Sequence, residues 1–351
     1  MKECIDTAWV SSAGAYVDRF ERELAATTGA RRAVAVVNGT AALHIALKLV
    51  GVEAGDEVLI PSLTFVATAN AVSYCGAIPH FVDVEPGTLG LDPISLEQRL
   101  AMIGEKVNGL VVSRESGRRL AAVVPMHTFG HPVDLAGLME VCERWGLPVV
   151  EDAAESLGSY YRDRHTGTFG RLGILSFNGN KIVTTGGGGA ILADDEELAD
   201  RAKHLTTTAK VPHRWEFIHD ETGYNYRMPN INAALGCGQL ERLEEMVALK
   251  RRLADTYRDA LADVRGVRFI QEPPGCRSNY WLNAIELDEG LAGDRDAILA
   301  ALDDEGIQAR PIWRPMHQLS MYQSCPRADL PVTERLARRI INLPSSASLA
   351  G

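Results

Sequence analysis

Short runs of β-branched residues alternate with helix-patterned stretches through the first two-thirds of this chain, and that alternation restricts the fold more than any other feature. Ala33–Val37 (AVAVV) predicts a strand and Thr40–Val50 (TAALHIALKLV) a helix. The pattern continues with strands at Glu57–Ile60, His80–Val84, Ala121–Pro125 and Pro148–Glu151, and helices at Phe65–Tyr74, Ser95–Met102 and Leu135–Trp145. Gly173–Phe177 and Ala190–Ala193 predict two further strands. Strands alternating with helices predict an α/β class: a mostly parallel sheet with helices on both faces.

The texture changes near Asn230. Ile231–Ala262, rich in Ala, Leu, Glu and Arg, predicts long helices. Strands at Val267–Ile270, Tyr280–Leu287 and Ile307–Ile312 and a helix at Asp294–Asp304 follow. We therefore expect a large α/β domain over 1–240 and a smaller α+β domain over 241–351, with the boundary inside one of the helices. A chain of 351 residues suits that division.

Composition bounds the partners. A net charge of −10 opposes binding to a nucleic-acid polymer. The apolar runs are strand-sized and too short to span a membrane, and the start lacks a secretory layout. The six cysteines form no C-x-x-C, so free thiols in a reducing cytoplasm are expected. His127, His131 and His165 show no metal-ligand spacing, and no metal is expected.

Several short segments could carry chemistry. Asn38-Gly39-Thr40-Ala41 lies between a strand and a helix, where free N–H groups receive anions; taken alone, it reads more simply as a tight turn with Thr40 as N-cap. Glu151 and Asp152 end a buried strand and should face opposite ways. A buried Asp needs a partner, and a pyridinium N–H would serve, unless Asp152 simply caps the next segment. Lys181 follows another strand end beside small residues. There, burial against a flat ligand favours the neutral amine needed for a covalent imine, whereas most lysines are solvated. Phe65 could stack on such a ring or be core. Arg310-Pro311-Ile312-Trp313-Arg314-Pro315-Met316-His317 could grip a diphosphate or a carboxylate, or form an edge strand with scattered charges. No P-loop and no G-x-S-x-G elbow occurs.

Five motifs then occur in order: Asn38-Gly39-Thr40-Ala41-Ala42-Leu43, Pro61-x-x-Thr64-Phe65-x-Ala67-x-Ala69-Asn70-Ala71, Glu151-Asp152-Ala153-Ala154-Glu155, Ser176-Phe177-Asn178-Gly179-Asn180-Lys181 and Gly223-Tyr224-Asn225-Tyr226-Arg227. Together they resemble the DegT/StrS family of sugar aminotransferases, with the type I aminotransferase fold. The opening Asp6-Thr7-Ala8-Trp9-Val10-Ser11-Ser12-Ala13-Gly14 and Ser156–Tyr161 look like the legionaminic-acid branch, close to GDP-perosamine and UDP-bacillosamine enzymes.

The resemblance implies pyridoxal 5′-phosphate (PLP) as cofactor, with Lys181 as its covalent carrier and the catalytic acid–base. It implies Asp152 at the pyridine nitrogen, Phe65 on the ring, and Thr40, Ala41 and Ser176 on the phosphate. Glu155 stands where many relatives carry Gln or His near the ring. Asn225 would reach the phosphate of a neighbouring subunit in a homodimer with shared active sites. Arg314 and His317 match a segment near the sugar nucleotide. The substrates implied are L-glutamate and a nucleotide-linked 4-keto-6-deoxy sugar. Relatives usually carry a further stretch before Met1–Asp6, so we expect either a misassigned start or a missing piece of the active-site mouth. Two rival readings remain: a PLP-dependent sugar dehydratase, whose known members replace the lysine with His, and a non-catalytic regulator.

Overall fold

The computed structural model describes residues 1–12 and 14–351; Ala13, within the opening motif, lies outside the described residues. Seven strands build the main sheet: β1 (Arg32–Val36), β2 (Glu57–Pro61), β3 (Ile78–Val82), β4 (Leu120–Val123), β5 (Val150–Asp152), β6 (Leu172–Ser176) and β7 (Gly189–Ala193). Their order is β3-β2-β4-β5-β6-β7-β1. The bridges Val123↔Val149 and Met126↔Asp152 join β4 to β5. All run parallel except β7, which pairs antiparallel with both β6 and β1.

The strands read as nearly continuous apolar runs because both faces are covered. Val34, Val36, Ile174 and Ile191 pack on one side with Leu43 and Leu47; Ala33, Ala35, Leu175 and Ala190 pack on the other with Phe20 and Leu24. Leu43 and Leu47 lie on helix α2 (Gly39–Leu49), and Phe20 and Leu24 on helix α1 (Ala15–Thr28). Successive side chains of one strand thus feed two cores.

Residue 240 is the last of a helix, Asn230–Leu240. The region expected to hold long helices contains two, separated at Glu241–Arg242, the second being Leu243–Leu261. Beyond it, β8 (Val267–Phe269), β9 (Asn283–Leu287), β10 (Arg310–Pro311) and β11 (Ile340–Leu343) form a second, antiparallel sheet ordered β8-β9-β11-β10. The strand expected from Tyr280 starts only at Asn283. Residues 278–282 leave the ladder to bond with the large domain, Asn279 Nδ2 donating to the carbonyls of Glu155 and Leu157, both at 2.9 Å. Among the described residues, no helix is long and apolar enough to cross a membrane.

Candidate active site

A cavity of about 570 Å³ opens where β5 and β6 end. In open α/β sheets ligands bind beyond the carboxyl ends of the strands, and here those ends place Asp152 and Ser176 on the wall. The start of α2, Phe65 and the Lys181 turn complete the large-domain side; Trp281, Arg310, Trp313 and Asn342 close it from the second sheet and its flanks.

Glu151 and Asp152 do face opposite ways. Glu151 accepts the N–H groups of Gly167 (2.8 Å), Phe169 (2.5 Å) and Gly170 (2.7 Å) and pairs with His127 at 3.1 Å. Burial alone would raise its carboxyl, but the His127 and backbone bonds leave it below the ordinary range. Its work is to tie a loop behind the sheet. Asp152, 4% exposed, faces the cavity and accepts from Thr68 Oγ1 at 2.7 Å and from the Ala154 N–H at 3.2 Å. Burial holds its carboxyl above the usual range, against the pull of Thr68, Ala154 and Lys181.

Lys181 is not a solvated lysine. Its side chain is 11% exposed, with Nζ 3.5 Å from Glu155 Oε1 and 3.8 Å from the centre of the Trp281 ring. Glu155 is itself buried, and its Oε2 accepts the Phe129 N–H at 2.9 Å. Burial pushes its carboxyl up to about 7, even with Lys181 and Phe129 pulling the other way.

At α2 the cap is Asn38, not Thr40. Asn38 is extended (φ −169°, ψ 166°) and its Oδ1 accepts the Ala41 N–H at 2.8 Å. The Ala41 donor is therefore engaged within the chain. Those of Gly39 and Thr40 belong to the first turn, where helix geometry supplies no acceptor. A Cβ on Gly39 would lie 2.9 Å from Ser176 Cβ, so glycine lets α2 abut the end of β6. The result is a cradle for a small anion beside Ser176.

Phe65 is 47% exposed, lines the cavity and meets the Trp313 ring edge-on at 6.1 Å. Other predicted residues lie elsewhere. Asn225 is exposed and lines a separate surface hollow with Ser12, Lys203, Lys210 and Arg227. Arg314 is exposed and does not line the cavity. His317 is buried but turned to Ser62 Oγ (2.8 Å) and Glu334 (3.4 Å). From that same segment Arg310, Pro311 and Trp313 line the cavity instead. Sequence reasoning missed Trp281 and Asn342, which lie in or beside strand-like stretches and carry no local signal. Of the three histidines considered for metal, His127 pairs with Glu151 and His165 Nε2 accepts the Gly158 N–H at 2.8 Å. His131 is buried against Tyr280. In a separate surface group, His204, Asp220 and Glu221, Glu221 is paired with Arg201 Nη2 at 2.6 Å and Asp220 with His204 Nε2 at 2.7 Å.

A buried acid, a part-buried lysine and an anion cradle around one cavity, on this sheet order, define an aminotransferase of the type I architecture. Solved structures share it. One is a DegT DnrJ EryC1 StrS aminotransferase from Brucella abortus, with TM-score 0.89 and 31% identity over 99% of this chain and 89% of that one. Another is DesI, determined in the presence of its TDP-sugar product, with TM-score 0.86 and 32% identity over 99% of this chain and 84% of that one. By sequence, the GDP-perosamine synthase of Caulobacter vibrioides is 39% identical over 99% of this chain and 89% of that protein. EpsN of Bacillus subtilis, by its name a pyridoxal phosphate-dependent aminotransferase, is 39% identical over 99% and 88%. The chain belongs to the DegT/DnrJ/EryC1/StrS aminotransferase family, which it matches over residues 1–351. It is a PLP-dependent sugar aminotransferase, and its substrate is a nucleotide-linked sugar.

Proposed function

We propose that the enzyme transfers the amino group of L-glutamate to the C4 carbonyl of a UDP-linked 4-keto-6-deoxy-N-acetylhexosamine, on a route of the legionaminic-acid type in the cytoplasm. The observation that carries transamination is the part-buried Lys181 amine sharing one cavity with the buried Asp152 carboxylate. Bound there, PLP would supply the electron sink that stabilises negative charge at a carbon losing its proton. Asp152 would hold the proton on the pyridine nitrogen, and Phe65 would cover the ring. Thr40 and Ser176, with Ala41 in the same first turn, would hold the phosphate. Lys181 would take the proton from the donor Cα and return it at C4′, working as base and then acid. Glu155 would partner the lysine amine whenever it is released. Arg314 and His317 are proposed for the sugar nucleotide, as part of the segment that brings Arg310 and Trp313 to the cavity.

We propose a homodimer with shared active sites, in which Asn225 serves the partner's phosphate. The exposure of Asn225 in a basic hollow apart from its own cavity supports this reading. The division into domains 1–240 and 241–351 is part of the same proposal. Amination of a GDP-linked sugar is a second reading, favoured by three relatives named GDP-perosamine synthase at 36–39% identity.

Two measurements test these readings. Purified protein should show a PLP absorption band that L-glutamate bleaches and that Lys181→Ala removes; a band that persists with glutamate would favour a dehydratase or a regulator. A panel of UDP- and GDP-linked 4-keto-6-deoxy sugars should then show turnover with the UDP-linked N-acetylhexosamine, and turnover with the GDP sugar alone would replace the first reading by the second.

A further inference from the structure

Lys181 has two partners, Trp281 and Glu155, carried by two segments that are bonded to each other. Trp281 is 5% exposed and presents its ring face to Nζ at 3.8 Å, within the distance at which a ring attracts an ammonium. Its indole N–H donates to the Asn180 carbonyl at 2.8 Å, one residue before Lys181, so it also fixes the turn that carries the lysine. Glu155 stands at 3.5 Å from the same nitrogen.

The segment bearing Trp281 is held against the stretch bearing Glu155. Asn279 Nδ2 bridges the Glu155 and Leu157 carbonyls, its backbone N–H donates to Ser159 Oγ at 2.9 Å, and its Oδ1 accepts the Trp281 N–H at 2.8 Å. Tyr280 sits in the left-handed region at φ 47°, a conformation that a bulky residue keeps only where its surroundings over-determine it. From behind, the buried Lys250 ammonium donates to the carbonyls of Trp281 (2.9 Å) and Ser345 (2.6 Å).

We propose that Trp281 is a positioning residue for the covalent capture of PLP by Lys181, holding the amine in line for attack and opposite the carboxylate that relieves it of its proton. The inference rests on Lys181 carrying the cofactor. In the step, the ammonium passes its surplus proton to Glu155. The neutral ε-nitrogen then bonds to the aldehyde carbon, and the aldehyde oxygen leaves as water with the two remaining amine protons.

The test uses cofactor-free protein and two ligands. PLP is captured covalently; pyridoxine 5′-phosphate has the same ring and phosphate but no aldehyde, and only binds. Trp281→Met should slow the appearance of the PLP band about tenfold, because reacting atoms are no longer aligned, while affinity for pyridoxine 5′-phosphate stays within about twofold of wild type on the same alignment argument. Trp281→Phe, which keeps a ring face, should recover most of the rate. Equal capture rates in wild type and Trp281→Met, or a parallel loss of capture and analogue affinity, would overturn the proposal. If Trp281→Met does not fold, Lys250→Gln, which unties the Trp281 carbonyl outside the cavity, carries the same comparison with the same two outcomes. Wild-type protein that captures no PLP at Lys181 sinks the cofactor assignment itself, a result distinct from the failure of Trp281.

Discussion

Glu155 shows how much one buried carboxyl can decide. Burial lifts it to about 7 in the folded protein, against an ordinary value of 4.5. Below about 4.5 it is protonated in both states and costs nothing. Between about 4.5 and about 7 the unfolded chain gives up its proton while the folded chain keeps it, so stability falls as pH rises through that window. Glutamine never ionises and can still accept the Phe129 N–H. The melting temperature of cofactor-free Glu155→Gln, relative to wild type, should therefore rise by a few degrees from pH 4.5 to 7.5. A flat difference in thermal melts would mean that the carboxyl ionises normally. Asp152→Asn probes the other buried acid: with no carboxylate to keep the pyridine nitrogen protonated, kcat should drop roughly 10²-fold or more. Unaltered kcat in steady-state assays would remove Asp152 from the proposed site.

Among the elements, α2 carries the most function for its length. Eight of its residues are buried, while its first turn opens on the cavity. Asn38 serves both ends of that design. Its side chain closes the Ala41 donor, and its carbonyl accepts from Ala42 at 3.1 Å, so the turn is set before any anion arrives. Asn38→Ala should lower stability by about 1 kcal/mol in denaturant unfolding and weaken PLP retention on dilution. Gly39→Ala should be worse for cofactor binding, because the added carbon presses on Ser176. If both variants held PLP like wild type, the phosphate would have to sit elsewhere.

For the molecule as a whole, the question is how one chain's cavity is completed. Asn225 belongs to a hollow on another part of the surface, so a shared site predicts complementation. Lys181→Ala chains lack the amine but can lend Asn225; Asn225→Ala chains keep the amine but lack the loan. Mixed under exchanging conditions, half the dimers are hybrid and each hybrid has one intact site, so activity should return to about a quarter of wild type. A mixture no more active than its components would show that Asn225 does not work in trans.

The sheet was legible because buried strands need apolar side chains on both faces, and that demand is local: AVAVV at β1 reads as a strand before any neighbour is known. Lys181 and Asp152 stood out for a related reason: Asp152 ends such a run and Lys181 lies a few residues past one, where parallel sheets bind ligands. What the sequence could not determine were choices settled between distant segments. Asn38 rather than Thr40 caps α2, which starts at Gly39, the residue packed against Ser176 at the end of β6. The segment 310–317 stood out for its cations and aromatics, but strand pairing with Ile340–Leu343 turns Arg310 to the cavity and leaves His317 to Ser62. Trp281 was hidden inside a strand-like stretch, and the Asn279 bonds to residues more than a hundred positions away, with its own indole bond to Asn180, lift it out of the ladder and over Lys181. Local patterns state which side chains must leave water; which groups then meet is decided by hydrogen bonds that exist only once both partners have been brought together.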